Sequence, residues 1–308
     1  MSPQLSVRRA PRRGRLRRLA MPALLAISLF VLAGCGTETE GERLAMPKPL
    51  TVEGESNLAL WQGAWIAALI TGAVVWGLIF YAVWHYRRRS DDEVPIQTRY
   101  NLPLEIFYTI FPIIMVIVLF DHTIKTQDIL LADADSAVDN TVYVVGQQWS
   151  WTFNYPDSEV TGEDGQPVTT NIYEFGTADY VPTLVLPVDQ TTRFELRSPD
   201  VIHDFGVPGF LMKMDVVPGH PNRFQATPKV EGTQFKGACF ELCGAYHARM
   251  IFYVDIVSES EYQEYLQAQY DKGYHSPEPL CGGGYASTQA GLGLEGENDE
   301  DYEGACQQ

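Results

Sequence analysis

The chain has 308 residues and a formal net charge of −17, from 39 acidic and 22 basic side chains. That length admits one good-sized domain plus additional segments. The acidity argues against nucleic acid as a partner and suits a surface that meets basic proteins.

Residues 1–34 read as a cleaved secretory signal. Their only charges are seven arginines between Arg8 and Arg18, followed by an apolar run from Leu19 to Leu32 and then small residues. Leu32-Ala33-Gly34-Cys35 resembles the bacterial lipobox, which implies cleavage before Cys35 and a lipid on its sulfur. An ordinary signal peptide with an incidental cysteine is the other reading. Both start the mature chain, with residues 35–55 as an external segment, outside the cytoplasm.

Residues 56–121 are expected to form a two-helix transmembrane hairpin. From Ser56 to Tyr86 there is no Asp, Glu, Lys or Arg. At about 1.5 Å per residue such a run crosses a hydrocarbon core of about 30 Å. Trp61, Trp65, Trp84 and Tyr86 lie near its ends, as interfacial aromatics do, and Arg87-Arg88-Arg89 marks the cytoplasmic side. The second span runs from Leu102 to Phe120 and is closed by Asp121 at the opposite face. Pro112 lies inside it, and Glu105 lies at its start. A carboxylate there serves either a proton path or simply a hydrated position at the headgroups, and the residues alone do not choose between them.

The external domain is expected over residues 122–258. Short β-rich runs separated by Gly, Pro, Asp and Asn cover 141–145, 149–155, 171–175, 183–188, 191–198, 223–227, 234–239 and 250–257. Their number and spacing point to an antiparallel sandwich or barrel. Residues 259–272 have helical composition. From Gly273 to residue 308 the chain is acidic, Gly-rich and expected to be mostly unstructured. Cys281 and Cys306 in that tail either pair, in an oxidising compartment, or remain thiols.

Chemistry concentrates in residues 239–250, where Cys239, Cys243, His247 and Met250 fall within one short segment, with His203 upstream. Thioether is not a usual ligand of structural zinc. Thiolate, imidazole and thioether together favour copper. A mononuclear blue-copper site uses one cysteine; two cysteines suit a pair of copper ions bridged by both thiolates, with one imidazole on each and Met250 on one. A redox dithiol usually shows Cys-x-x-Cys, whereas three residues intervene here.

The segment Cys-x-Glu-x-Cys-Gly-x-x-His-x-x-Met resembles the dinuclear copper motif, CuA, of cytochrome c oxidase subunit II. The resemblance extends over nearly all of residues 56–257. It includes the Leu104-Glu105-Ile106-Phe107 segment, Gly146-Gln147-Gln148-Trp149-Ser150-Trp151 and Met212-Lys213-Met214-Asp215. It implies a cupredoxin-like Greek-key β-sandwich on a bacterial cell membrane, on the external face. It implies His203, Cys239, Cys243, His247 and Met250 as copper ligands through side chains and Glu241 through its backbone carbonyl. The Glu241 carboxylate would reach a magnesium ion shared with the catalytic subunit. Trp149 would be the point of electron input, and Glu105 the mouth of a proton path. The implied partners are the catalytic haem-copper oxidase subunit I, other oxidase subunits, and a c-type cytochrome donor, soluble or permanently associated. Ser150 departs from the family's Trp-Tyr-Trp, and Pro199 replaces a frequent acidic residue. Asp200, Asp204 and Asp215 are candidate attractors of a basic cytochrome, with plain surface charge as the other reading.

Overall fold

The computed structural model describes residues 39–92, 94–131, 137–177 and 179–281. The signal segment, Cys35, Cys306 and the tail beyond residue 281 lie outside the described residues. Residues 39–48 belong to a separate unit and form a local turn, in which the Thr39 amide donates to the Glu42 carboxylate at 2.9 Å.

Helix α1 spans Val52–His85. It begins four residues before the uncharged run because Thr51 caps it, its hydroxyl accepting from the Gly54 amide at 3.0 Å. Glu53 and Glu55 in the first turn suit the positive end of the helix dipole. Glu53 is buried, and its carboxylate accepts from the Thr227 amide at 2.7 Å and the Thr227 hydroxyl at 2.9 Å. The Val52 amide donates to the Thr227 carbonyl, and the Leu50 amide to that of Gly209, so the start of α1 is bonded into the external domain. Glu53→Ala strips the Thr227 donors of their acceptor and is expected to cost ~1–3 kcal/mol locally. Faster amide hydrogen exchange at Thr227 and Gly54 is the readout, and unchanged protection there would refute the clamp.

Helix α2 spans Leu102–Leu130 and continues past Asp121, where Asp121 and Lys125 pair at 2.7 Å one turn apart. Asn101 caps its start. The Glu105 carboxylate turns back and accepts from the Asn101 amide at 2.9 Å. The apolar windows of both helices are unburied by the rest of the protein and are long enough to cross a membrane.

Eleven strands follow among the described residues. They are β1 (Asn140–Gln147), β2 (Ser150–Thr161), β3 (Pro167–Phe175), β4 (Thr183–Pro187), β5 (Thr192–Arg197), β6 (His203–Val207), β7 (Met212–Val216), β8 (Asn222–Ala226), β9 (Gly232–Cys239), β10 (Ile251–Val257) and β11 (His275–Ser276). One sheet has the order β11-β3-β2-β1-β5-β8 and the other β4-β10-β9-β6-β7. The chain crosses between sheets after β3, β4, β5, β7, β8 and β10, the over-and-back path of a Greek-key sandwich. The sheets are not purely antiparallel as expected: β1 pairs parallel with β5, and β4 with β10. These strands meet through sheet-to-sheet crossings, so no hairpin forces them to run in opposite directions.

Aromatic side chains fill the space between the sheets. Phe205 and Phe252 stack at 4.8 Å between centroids, and Trp151 packs edge-on against both. Each such ring contributes ~1.5–3 kcal/mol through burial. Gly237 is the point of closest approach: a Cβ there would lie 2.0 Å from the Phe252 ring.

Helix α3, Glu259–Asp271, closes one flank with a Ser258/Glu261 capping box and buries Tyr262 and Leu266. Residues 273–281, the first part of the tail expected to be mostly unstructured, are held in place; the rest of that tail lies outside the described residues. β11 pairs with β3, and the Leu280 amide and carbonyl both bond the Asn154 side chain, at 2.7 and 2.9 Å. Hydrogen bonding thus holds residues that composition marked as free. Cys281 is disulfide-bonded; Cys306, its expected partner, lies outside the described residues.

Candidate metal centre

The cluster sits at one end of the sandwich, where β9 and β10 part. Cys239 ends β9, and its amide donates to the Met250 carbonyl at 2.9 Å, so both ends of the 239–250 loop are held by the ladder. His203 starts β6, the neighbouring strand, with Phe205 in register with Cys239. The sheet therefore places residues distant in sequence side by side. His247 opens a short 3₁₀ turn, His247–Arg249, that returns the chain to β10.

The donor atoms converge. The sulfurs of Cys239 and Cys243 are 3.9 Å apart. His203 Nδ1 lies 3.9 Å from Cys239 Sγ, and His247 Nδ1 lies 3.6 Å from Cys243 Sγ. Met250 Sδ is 3.7 Å from Cys243 Sγ, and the Glu241 carbonyl oxygen is 3.2 Å from Cys239 Sγ. The ligand atoms of His203, Cys239 and Cys243 all fall within 4.8 Å of one another. Both cysteines are free and buried, and their separation far exceeds the ~2.05 Å of a disulfide.

The electrostatics favour a cation. Burial pushes the Cys239 thiol up, but hydrogen bonding to His203 and to the backbone at Asp204 and Glu241 outweighs it and leaves the group below its ordinary value. Burial and the neighbouring Cys239 charge push Cys243 well above its own. Without a cation one thiolate thus suppresses the other, and a cation between them relieves both. Paired sulfurs, two imidazoles, a thioether and a carbonyl in a buried cleft form a soft donor set that fits copper.

A second layer holds the donors. Asp200 Oδ1 lies 2.8 Å from His203 Nε2, leaving Nδ1 for the cluster. Burial disfavours the Asp200 charge, yet His203 and the amides of Gln148 and Val201 hold its carboxyl below the usual range. Burial alone would lower His203; Asp200 and Cys239 raise it. The Gln148 side chain and the Trp149 indole N–H both donate to the Cys243 carbonyl, at 2.6 and 3.3 Å. Gly244 permits this. Its φ is +126°, and a Cβ would lie 3.0 Å from the Trp149 indole nitrogen. Trp151, by contrast, is buried beneath the centre, edge-on to His203.

The structure therefore brings together His203, Cys239, Cys243, His247, Met250 and the Glu241 carbonyl, with Trp149 against them. The Glu241 side chain is exposed on the loop. Glu105 stands apart, in the first turn of α2. Sequence reading missed the tie of Asp200 to His203, although an acid three residues before a candidate ligand is a usable signal. It also missed Gln148.

Two exposed apolar helices followed by a sandwich with a buried thiol–imidazole–thioether cluster define a membrane-anchored metalloprotein. Residues 140–257 match the family model described as cytochrome C oxidase subunit II, periplasmic domain. A Streptomyces avermitilis protein, "Probable cytochrome c oxidase subunit 2", is 45% identical over 301 residues, covering 89% of this chain and 93% of that protein. "Cytochrome c oxidase subunit 2" of Corynebacterium diphtheriae is 33% identical, covering 84% of this chain and 87% of that protein. The protein of the same name in Mycobacterium tuberculosis H37Rv is 33% identical, with coverages of 85% and 84%. The chain belongs to the cytochrome c oxidase subunit II family and is thus a component of an oxidoreductase complex. The sandwich is the family's cupredoxin-like external domain, and the family implies copper at the His/Cys cluster.

Proposed function

We propose that the chain is the electron-input subunit of a haem-copper terminal oxidase. It takes electrons from a c-type cytochrome and passes them, through a dinuclear copper centre, to haem in the catalytic subunit. Oxygen reduction to water and proton pumping take place in that subunit. The observation that carries the reading is the pair of buried sulfurs 3.9 Å apart with one imidazole against each.

His203, Cys239, Cys243, His247 and Met250 hold the two coppers through side chains, and Glu241 through its carbonyl. When bound, the pair would supply a one-electron redox couple. The chain keeps water out by burying both cysteines, His203 and Met250. His203 starts β6, Cys239 ends β9, Met250 directly precedes β10, and Cys243 lies in the loop between them. Trp149 is the point of electron input: its half-buried ring reaches the surface, and its N–H bonds the carbonyl of a ligand residue. The Glu241 carboxylate, outward on the same loop, holds a magnesium ion shared with the catalytic subunit. Glu105, at the arginine-flanked end of the hairpin, is the mouth of a proton path. Its bond to the Asn101 amide holds the carboxylate at the helix start. The hairpin lies in the bacterial cell membrane as a lipoprotein cleaved before Cys35, with the copper domain outside.

The test is to purify the full chain with copper and record its EPR spectrum. One unpaired electron shared by two equivalent copper nuclei is expected. A single-nucleus pattern, or no retained copper, overturns the assignment.

A further inference from the structure

We propose that Gln148 is a positioning residue that braces the two halves of the donor set against each other, so that the cage is set before copper arrives. The metal in this inference rests on the dinuclear copper reading; the brace itself is a contact between residues of this chain.

Gln148 lies with Trp149 in the two-residue turn between β1 and β2, where Gln147 pairs with Ser150. That hairpin belongs to the six-stranded sheet, whereas His203, Cys239 and the metal loop hang from the five-stranded one. The turn therefore reaches across the end of the sandwich. Its stem lies close against the site: a Cβ on Gly146 would lie 3.3 Å from both Cβ and Cδ2 of His203.

Gln148 meets each half of the site with a different group. Its backbone amide donates to Asp200 Oδ2 at 2.7 Å, and the other oxygen of that carboxylate lies 2.8 Å from His203 Nε2. Its side-chain amide donates to the Cys243 carbonyl at 2.6 Å, a shorter bond than the 3.3 Å one from the Trp149 indole. His203 stands against Cys239, and Cys243 against His247 and Met250. Gln148 is thus one carboxylate away from the first half and in direct contact with the second.

The two halves need such a tie to different degrees. Cys239 ends β9 and is fixed by its ladder bond to Met250, while the next amide, of Phe240, donates to the Asp204 carbonyl at 3.0 Å. His203 is fixed in β6. Cys243 belongs to neither strand nor helix, and Gly244 after it has a φ of +126°. Local backbone preference therefore does little to place Cys243, and a hydrogen bond from the opposite sheet supplies what the loop lacks. Order imposed before binding lowers the cost of binding. Outer partners of this kind carry about 10–100-fold of metal affinity.

The experiment uses the full chain with Gln148→Met, which keeps the length of the side chain and the backbone amide but removes the side-chain donor. In the copper-free chain, hydrogen exchange over residues 242–247 is expected to quicken about five-fold, the equivalent of one ~1 kcal/mol hydrogen bond. Exchange at the Cys239 amide and the denaturation midpoint stay as they are. The dissociation constant for copper rises about ten-fold or more. At saturating copper the two-nucleus EPR pattern persists, because every donor is still present. Gln148→Asn, whose amide falls one methylene short of the carbonyl, behaves as Gln148→Met does. Unchanged exchange and copper affinity in Gln148→Met overturn the proposal. So does faster exchange spread through β1, β2 and β9 with a lowered midpoint, which would make Gln148 a residue of general stability. A native chain that retains no copper defeats the dinuclear reading, and exchange in the copper-free chain then judges the brace by itself.

Discussion

Cys243→Ser is expected to abolish the two-nucleus EPR pattern and to lower cytochrome-driven oxygen consumption by about two orders of magnitude or more. Loss of an outer-layer partner already costs about 10–100-fold in metal affinity or activity, and Cys243 is itself a proposed donor. It is also the hub of the cluster, with Cys239 Sγ at 3.9 Å, His247 Nδ1 at 3.6 Å and Met250 Sδ at 3.7 Å. A serine hydroxyl is a hard donor and stays protonated where a thiol under a cation ionises. On the proposed ligand set, the substitution leaves Cys239 as the one cysteine sulfur and removes the group that His247 sits against. The backbone loop should survive, because its ends are fixed by the Cys239–Met250 ladder bond. Near-native circular dichroism together with a single-copper or copper-free spectrum is the expected result. A persisting two-nucleus pattern would show that Cys243 is not a ligand.

Phe252→Ala is expected to destabilise the external domain by ~3–5 kcal/mol, the range for emptying a buried aromatic position. Phe252 is fully buried, stacks on Phe205 at 4.8 Å and meets Trp151 and Phe153 edge-on. Its ring also covers Gly237, so no side chain on β9 can close the gap. The cavity would open two residues from Met250 and directly below Trp151, which packs against His203. Copper retention should therefore fall together with the denaturation midpoint. A Phe252→Leu variant, which refills part of the volume, should restore most of both. If copper were lost with the midpoint unchanged, Phe252 would act on the site alone and not through the core.

Much of this architecture is legible from residue order. The hairpin follows from two uncharged apolar runs, and most strands from short β-rich segments between turn residues. The soft-donor loop reads directly as Cys239, Cys243, His247 and Met250. What the sequence hides has physical reasons. β6 carries His203, Asp204 and Gly206, and none of them signals a strand; it forms because β7 and β9 flank it. α1 begins at Val52, ahead of the uncharged run, because Thr227 lies where a buried Glu53 can bond it. α2 outlasts its apolar run because helix continuity and the Asp121–Lys125 pair carry it into water. The bonds from Gln148 and Trp149 to the Cys243 carbonyl join loops more than ninety residues apart. Local pattern contains no trace of such a bond. The three aspartates offered as donor attractors also divide once folded: Asp204 is buried, Asp215 stays exposed, and Asp200 is exposed while its carboxylate bonds His203 and the Gln148 amide.

The bonding of residues 50–53 into the Gly209 and Thr227 backbone has a mechanical consequence. At the α1 end the external domain is mounted on a pedestal, with no slack tether between bilayer and sandwich. A carrier that ferries charge by swinging needs a hinge, and at this junction the hinge position is taken up by hydrogen bonds and a buried carboxylate. The height of the metal loop above the lipid is therefore constrained by the fold at that end. A partner has to come to the centre, because the centre has little freedom to go out and meet it.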